Sequence, residues 1–168
     1  MNDRKRPDVA RVLTGTVLLF FLTAIGPRLA AAGIAETDVA ANSKLELLEK
    51  AVSGSYESYS ISVVTREGAT TLTANKDGTQ SVLQVPLEET LALWRTLLDA
   101  GLESLGDASP ETPAPDGSEF IVSFRAGEAS GGFTASGVDS LSDTRYRQIV
   151  REILKFADTR AAGGHRGN

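Results

Sequence analysis

Residues 85–107 carry the clearest helix pattern in the chain, and this helix divides the rest of the sequence into two similar halves. Pro86 occupies a first-turn position, where the N–H that proline lacks would have no hydrogen-bond partner within the helix. Gly101 fits the left-handed position just after a helix end. Between them Leu87, Leu91, Trp94 and Leu98 recur at spacings of four, three and four, and Leu93 and Leu97 widen this stripe on one side. This spacing predicts a helix that buries one stripe, with Trp94, the only tryptophan, as a central core residue rather than a ligand-binding one.

The half before this helix contains three β-prone segments. Residues 56–66 alternate apolar and polar side chains, 70–74 continue the pattern, and 81–85 lead into the helix. Between the last two, Asp77-Gly78 is a typical hairpin-turn pair. A calcium loop is the other interpretation of this turn, but Lys76 stands among the would-be ligands and a bidentate Glu is missing, so a plain hairpin is favoured.

The half after the helix repeats the same order. Residues 120–125 and 132–138 predict two strands, and a second helix with a 3.6-residue period begins after Ser142 or Asp143. Hairpin strands with intervening helices indicate an α+β fold. We therefore expect an antiparallel sheet of four to five strands with two helices packed on one face, in the order ββ(β)αββα.

The first 32 residues have the pattern of a secretory signal peptide. A basic leader (residues 4–6) precedes an uncharged stretch, 12–26, that is shorter than the roughly 20 residues of a spanning helix. Small residues then lead to a predicted cleavage between Ala32 and Gly33. We expect an exported protein, periplasmic or secreted, with no stable membrane span after cleavage. An uncleaved N-terminal anchor is the alternative.

The chain is expected to contain four successive segments. These are a signal peptide (1–32), a spacer with a short helix (33–55), a single α+β domain (56–158) and a disordered tail (159–168). The short helix is inferred from Leu45, Leu47 and Leu48, with Ser43 and Glu46 as a capping box. The tail contains Gly and Arg and almost no large apolar residue, which is typical of a disordered terminus.

The composition disfavours several classes of function. The 22 acidic residues outnumber the 17 basic ones, giving a net charge of −5, which disfavours a nucleic-acid partner because such binding depends on Lys and Arg. Cysteine is absent, and the one histidine, His165, falls in the predicted tail, where neither a metal site nor a catalytic triad is expected. We predict no catalytic, cofactor-binding or metal-binding residues. A basic ridge at Arg147, Arg151 and Lys155 suits an acidic partner, but a solvated helix face is the favoured interpretation.

Residues 106–117 form the longest irregular stretch inside the predicted domain. Loops of this length are usually functional or disordered, and proline lowers the cost of ordering a loop on binding. The candidate residues for binding an unidentified protein partner are Asp107, Pro110, Glu111, Pro113, Pro115 and Asp116. Their acidity suits a basic cleft on that partner. A tolerated surface insertion is the alternative.

Between Tyr56 and Asp158 the sequence resembles the emfourin-type protease-inhibitor domains. The shared pattern is a hairpin with an Asp-Gly turn, a Pro-led leucine helix ending in Asp-Ala-Gly-Leu (99–102), a charged loop, a hairpin and a final helix. The resemblance implies inhibition of thermolysin-like metalloproteases. Two classes of function are expected from the sequence as a whole. The first is a small exported non-enzymatic binding module, for which the resemblance implies protease inhibition. The second is an envelope structural or accessory protein without a discrete site.

Overall fold

The computed structural model describes residues 33–51, 59–76, 78–110 and 118–164. A short 3-10 turn, Leu102–Ser104, follows the second helix. In chain order the helices and strands are α1 (Glu36–Ala41), β1 (Asn42–Ala51), β2 (Tyr59–Arg66), β3 (Ala69–Lys76), β4 (Thr79–Val85), α2 (Leu87–Asp99), β5 (Ser118–Ala126), β6 (Ala129–Ser136) and α3 (Thr144–Gly164).

The strands form one antiparallel sheet in the order β4-β3-β2-β1-β5-β6. Strand β1 lies in the middle, where Leu45 is opposite Val63 of β2 on one side and Phe124 of β5 on the other. The expected α+β class is confirmed. The sheet has six strands rather than four to five, because β1 lies in the predicted spacer and adds a strand to the predicted five.

The predicted spacer with a short helix, 33–55, is wrong where the structure describes it. Residues 36–41 are helical and 42–51 form the central strand. Leu45 and Leu47 are buried, whereas Leu48 is half-buried on the opposite face, which is the two-residue period of a strand. The domain therefore begins well before residue 56.

One face of the sheet supplies the core. Its buried residues alternate along the strands other than the edge strand β4, such as Ile61 and Val63 on β2, or Val122 and Phe124 on β5. Helices α2 and α3 pack on this face and belong to the same hydrophobic cluster. The expected packing of both main helices on one face is thus confirmed, and the opposite face is covered by none of the described elements.

Trp94 occupies the position predicted for it. It is 1% exposed, and its ring meets Phe124 edge-on, with centroids 6.3 Å apart. A second edge-on pair, Phe133 with Tyr146 at 5.1 Å, joins β6 to α3. The chain leaves α2 through Gly101 at φ 87°, the left-handed conformation expected of a glycine after a helix end.

The predicted disordered tail, 159–168, is also wrong in part, because α3 continues to Gly164. Within this extension, Arg160 forms an ion pair with Glu89 of α2, and its guanidinium lies 4.8 Å from the centre of the Phe156 ring. The last four residues, with His165, lie outside the described residues. Among the described helices, none is long and apolar enough to cross a bilayer.

Candidate functional site

The segment after the 3-10 turn pairs with the outer edge of β6. The Ala108 N–H donates to the Thr134 carbonyl at 2.8 Å, and the Ala108 carbonyl accepts from the Ser136 N–H at 3.1 Å. The Thr134 N–H donates to Asp107 Oδ1 at 2.6 Å. The first part of the predicted docking loop therefore completes one edge of the sheet.

Two of the six candidate loop residues lie in the described part of the chain. The carboxylate of Asp107 is exposed but bound to β6, and Pro110 lies beside Gly137. The other four are Glu111, Pro113, Pro115 and Asp116, which lie outside the described residues. A docking role for this loop therefore stays a prediction. Of the predicted cleavage pair, Gly33 is exposed and Ala32 lies outside the described residues.

The basic ridge on α3 is partly neutralised. Arg147 Nε lies 3.0 Å and Arg151 Nη2 lies 3.2 Å from Asp139 Oδ1. The Arg147 guanidinium also donates to the Asp139 carbonyl. These contacts favour the interpretation of this ridge as a solvated face.

The strongest candidate site is a cleft of about 730 Å³ at the end of the sheet where β1 begins. Three cationic side chains line it, each from a different strand: Lys44 of β1, Arg66 of β2 and Arg125 of β5. The remaining lining residues are Ala41, Asn42, Ser43, Val64 and Glu67.

The strand register brings these three cations together. Lys44 lies directly opposite Arg125, and Arg66 lies opposite Asn42, two positions before Lys44. Because side chains alternate along a strand, residues 42 and 44 share a face, and it is the face that α2 and α3 leave uncovered. Three residues that are distant in the sequence thus form one positive cluster on the open face.

This cluster has little internal compensation. Like charges directly opposite each other destabilise a strand pair, by up to about 1 kcal/mol. Lys44 Nζ lies 2.8 Å from Glu46 Oε1, but within the part of the chain that the structure describes neither Arg66 nor Arg125 has a carboxylate within 4.0 Å. In a chain of net charge −5, this is a local site where an anion would relieve repulsion.

The hydrogen-bond donors of the cleft suit a carboxylate or a phosphate. Guanidinium groups bind both in a bidentate way, with charge-assisted hydrogen bonds about twice as strong as neutral ones. Ser43 also lines the cleft, but its side chain is 1% exposed and lies on the core face of β1 with Leu45, so it adds no donor to the open face.

A smaller cavity of about 260 Å³ lies between α1 and α2. Glu36 and Arg95 form an ion pair beside it, and the Arg95 guanidinium lowers the pKa of Glu36. Trp94 lines the cavity, and its indole N–H has no acceptor in the described part of the molecule. At 1% exposure Trp94 offers little surface to a ligand, which agrees with a role in packing.

The cleft is not evident from the sequence, because part of it lies in the predicted spacer. With Asn42, Ser43 and Lys44 outside the predicted domain, the sequence offers no register that aligns them with Arg66 and Arg125. The available signal was the alternation Lys44-Leu45-Glu46-Leu47, which is typical of a strand with one buried face.

Comparison with known proteins assigns no chemistry to the cleft. The chain matches no model of a known protein family, and a search of curated proteins finds no relative. Across residues 33–51, 59–76, 78–110 and 118–164, no group of three or more His, Cys, Asp or Glu could hold a metal ion.

Proposed function

We propose that this protein is a small exported, non-enzymatic binding module whose open sheet face captures an acidic segment of a partner protein. The observation that carries the proposal is the cluster of Lys44, Arg66 and Arg125 in one cleft, with two of the three lacking a carboxylate partner among the described residues. Such a cluster recognises carboxylates through direct, charge-assisted hydrogen bonds.

The rest of the open face suits contact with another protein. Leu48, Val64 and Ile121 are half-buried on it, together with several small hydroxyl side chains and the Glu46 carboxylate, which forms an ion pair with Lys44. These hydroxyl residues are Ser60, Ser62, Thr71, Thr73 and Ser123. Mixed apolar and polar surface is the usual composition of a non-obligate interface, and the charged cleft at one end supplies specificity and orientation.

A thermolysin-like metalloprotease is the first partner to test, because the resemblance to emfourin-type domains supports it. The protease would be assayed with and without an excess of this protein. Inhibition that depends on Arg66 and Arg125 would show that the protease binds at the cleft. Lack of inhibition would exclude this protease as a partner, but it would not exclude another protein partner, which the capture experiment tests.

The binding module is tested by capture from the exported fraction of producing cells. The immobilised protein should retain one stoichiometric partner, and the double variant Arg66→Glu/Arg125→Glu should bind it at least about tenfold more weakly, a loss of about 1.4 kcal/mol. The reason is that two attractive contacts become repulsive. Capture should also weaken as salt is raised, since exposed charges are screened.

The matched control is Lys76→Glu/Lys155→Glu, which changes the net charge equally at two exposed positions outside the cleft. It should retain the partner. Equal loss in both double variants would indicate a general charge effect and contradict a specific cleft. Retention of many envelope components, unchanged in either variant, would instead favour the structural or accessory role.

Export is a separate proposal with its own measurement. The basic leader and the small residues before Gly33 support cleavage after Ala32. We expect N-terminal sequencing of protein purified from the exported fraction to begin at or near Gly33. Recovery of a membrane-bound form that begins at Met1 or Asn2 would indicate an anchor.

A further inference from the structure

The two edges of the sheet are built differently. The outer edge of β6 is covered by the bridge from Ala108 to Ala135 and by the Asp107 carboxylate. The outer edge of β4 has no such cover: in the described part of the chain this strand pairs only with β3. An uncovered edge presents unpaired N–H and C=O groups and is a template for another strand.

Strand β4 also lacks the features that normally block edge pairing. Its sequence, Thr-Gln-Ser-Val-Leu-Gln-Val, contains no charged residue and no proline. Its central residue, Val82, is 57% exposed and is the only large hydrophobic side chain so exposed among the described residues. Monomeric proteins usually place Lys, Pro or a bulge on such an edge.

The hairpin register fixes which backbone groups face outward. Lys76 and Thr79 pair with only two residues between them, so they form the closely spaced, hydrogen-bonded pair that closes the hairpin. Hydrogen-bonded pairs then recur at every second residue of β4. It follows that the residues between them, Gln80, Val82 and Gln84, direct their N–H and C=O groups away from β3.

We propose that β4 is a self-association surface, on which two copies of this chain pair β4 antiparallel about Val82 and join their sheets into one. The strand is self-complementary in this register. Val82 lies opposite Val82 of the other copy, and Gln80 lies opposite Gln84, so two apolar groups meet at the axis and amides meet on both sides. Such a two-fold contact is isologous and closed, with about six backbone hydrogen bonds, two for each pair.

The first test is mass against concentration, measured by sedimentation equilibrium on the intact protein. We expect a monomer–dimer equilibrium. Val82→Lys should raise its dissociation constant at least about tenfold, because it places two ammonium groups opposite each other. Ser62→Lys is the matched control: it adds the same charge in the same row of the open face, two strands or about 10 Å inboard, and should leave the equilibrium unchanged.

Cross-linking tests the register, since the chain has no native cysteine. The Cα atoms of the two Val82 residues should be about 5.5 Å apart, within reach of a disulfide, so Val82→Cys should give a covalent dimer under mild oxidation. Gln80→Cys should not, because its two Cα atoms would be about 14 Å apart. Circular dichroism establishes that both variants are folded.

Several results would overturn the proposal. They are a monomer at every concentration, a dimer unaffected by Val82→Lys, and cross-linking that is equally fast at positions 80 and 82. A protein that stays monomeric while its β4 edge binds a strand from another protein would also overturn it. Because the cleft is not part of β4, the double variant Arg66→Glu/Arg125→Glu should dimerise normally.

Discussion

Replacing Trp94 by alanine is expected to lower the free energy of unfolding by about 3–5 kcal/mol, the range for emptying a large aromatic site in a core. Trp94 is 1% exposed and contacts Phe124 edge-on, so its removal loses both apolar burial and an aromatic pair. Denaturant unfolding measures the change. The native emission of Trp94 should be blue-shifted and should move to longer wavelength on unfolding.

Trp94→Phe is the matched control for this prediction. It keeps an aromatic ring against Phe124 and removes an indole N–H that has no acceptor among the described residues. The loss of stability should therefore be clearly smaller than for Trp94→Ala, because an unsatisfied buried donor is itself unfavourable. A red-shifted native emission together with an unchanged melting temperature in Trp94→Ala would place Trp94 at the surface and contradict its role in the core.

Leu47→Asp is expected to prevent folding, whereas Leu48→Asp should fold. Leu47 is 1% exposed on the core face of the central strand, and an unpaired carboxylate buried there costs several kcal/mol. That loss is comparable to the total stability of a small domain. Leu48 is half-buried on the open face, where a carboxylate reaches water.

Circular dichroism and thermal melts measure whether each variant folds, and the comparison shows whether residues 47 and 48 lie in a strand or in a helix. In the short helix predicted from the sequence, Leu47 and Leu48 both belong to the apolar stripe, about 100° apart around the axis, so both substitutions would be destabilising. In a strand they point to opposite faces. Equal tolerance of both substitutions would contradict the central position of β1.

The sequence was sufficient to predict the elements with long and regular periodicity. The helix around Trp94, its end at Gly101 and the helix that begins after Asp143 all agree with the structure. Asp143 accepts a hydrogen bond from the Arg145 N–H at 3.0 Å, as a capping residue does. Each of these features depends on neighbouring residues along the chain, which a sequence shows directly.

The sequence around β1 does not predict a strand clearly, because the local pattern of residues 43–48 fits both a helix and a strand. Leu45, Leu47 and Leu48, with Ser43 and Glu46 at capping-box spacing, fit a short helix, and Lys44-Leu45-Glu46-Leu47 fits a strand. The choice is made by tertiary contacts: the strand hydrogen-bonds to a neighbour on each side. Short apolar runs are decided by such non-local pairing rather than by propensity.

The cleft could not be predicted for the same reason. Lys44, Arg66 and Arg125 belong to strands far apart in the sequence, and only the register of β1 with β2 and β5 places them in one cluster. The loop at 106–117 is instead the segment whose local composition predicts a binding role. Within this loop, Asp107 and Ala108 form hydrogen bonds with the outer edge of β6.

Mapping an acidic probe onto the backbone amides tests the proposed function most directly. Hexaglutamate would be titrated into isotopically labelled protein at low salt. We expect the largest chemical-shift changes at residues 42–44, 66–67 and 125, saturating with peptide and absent in the folded Arg66→Glu/Arg125→Glu variant. Shifts confined to residues 106–119, or shifts that persist in that variant, would contradict the cleft as the binding site.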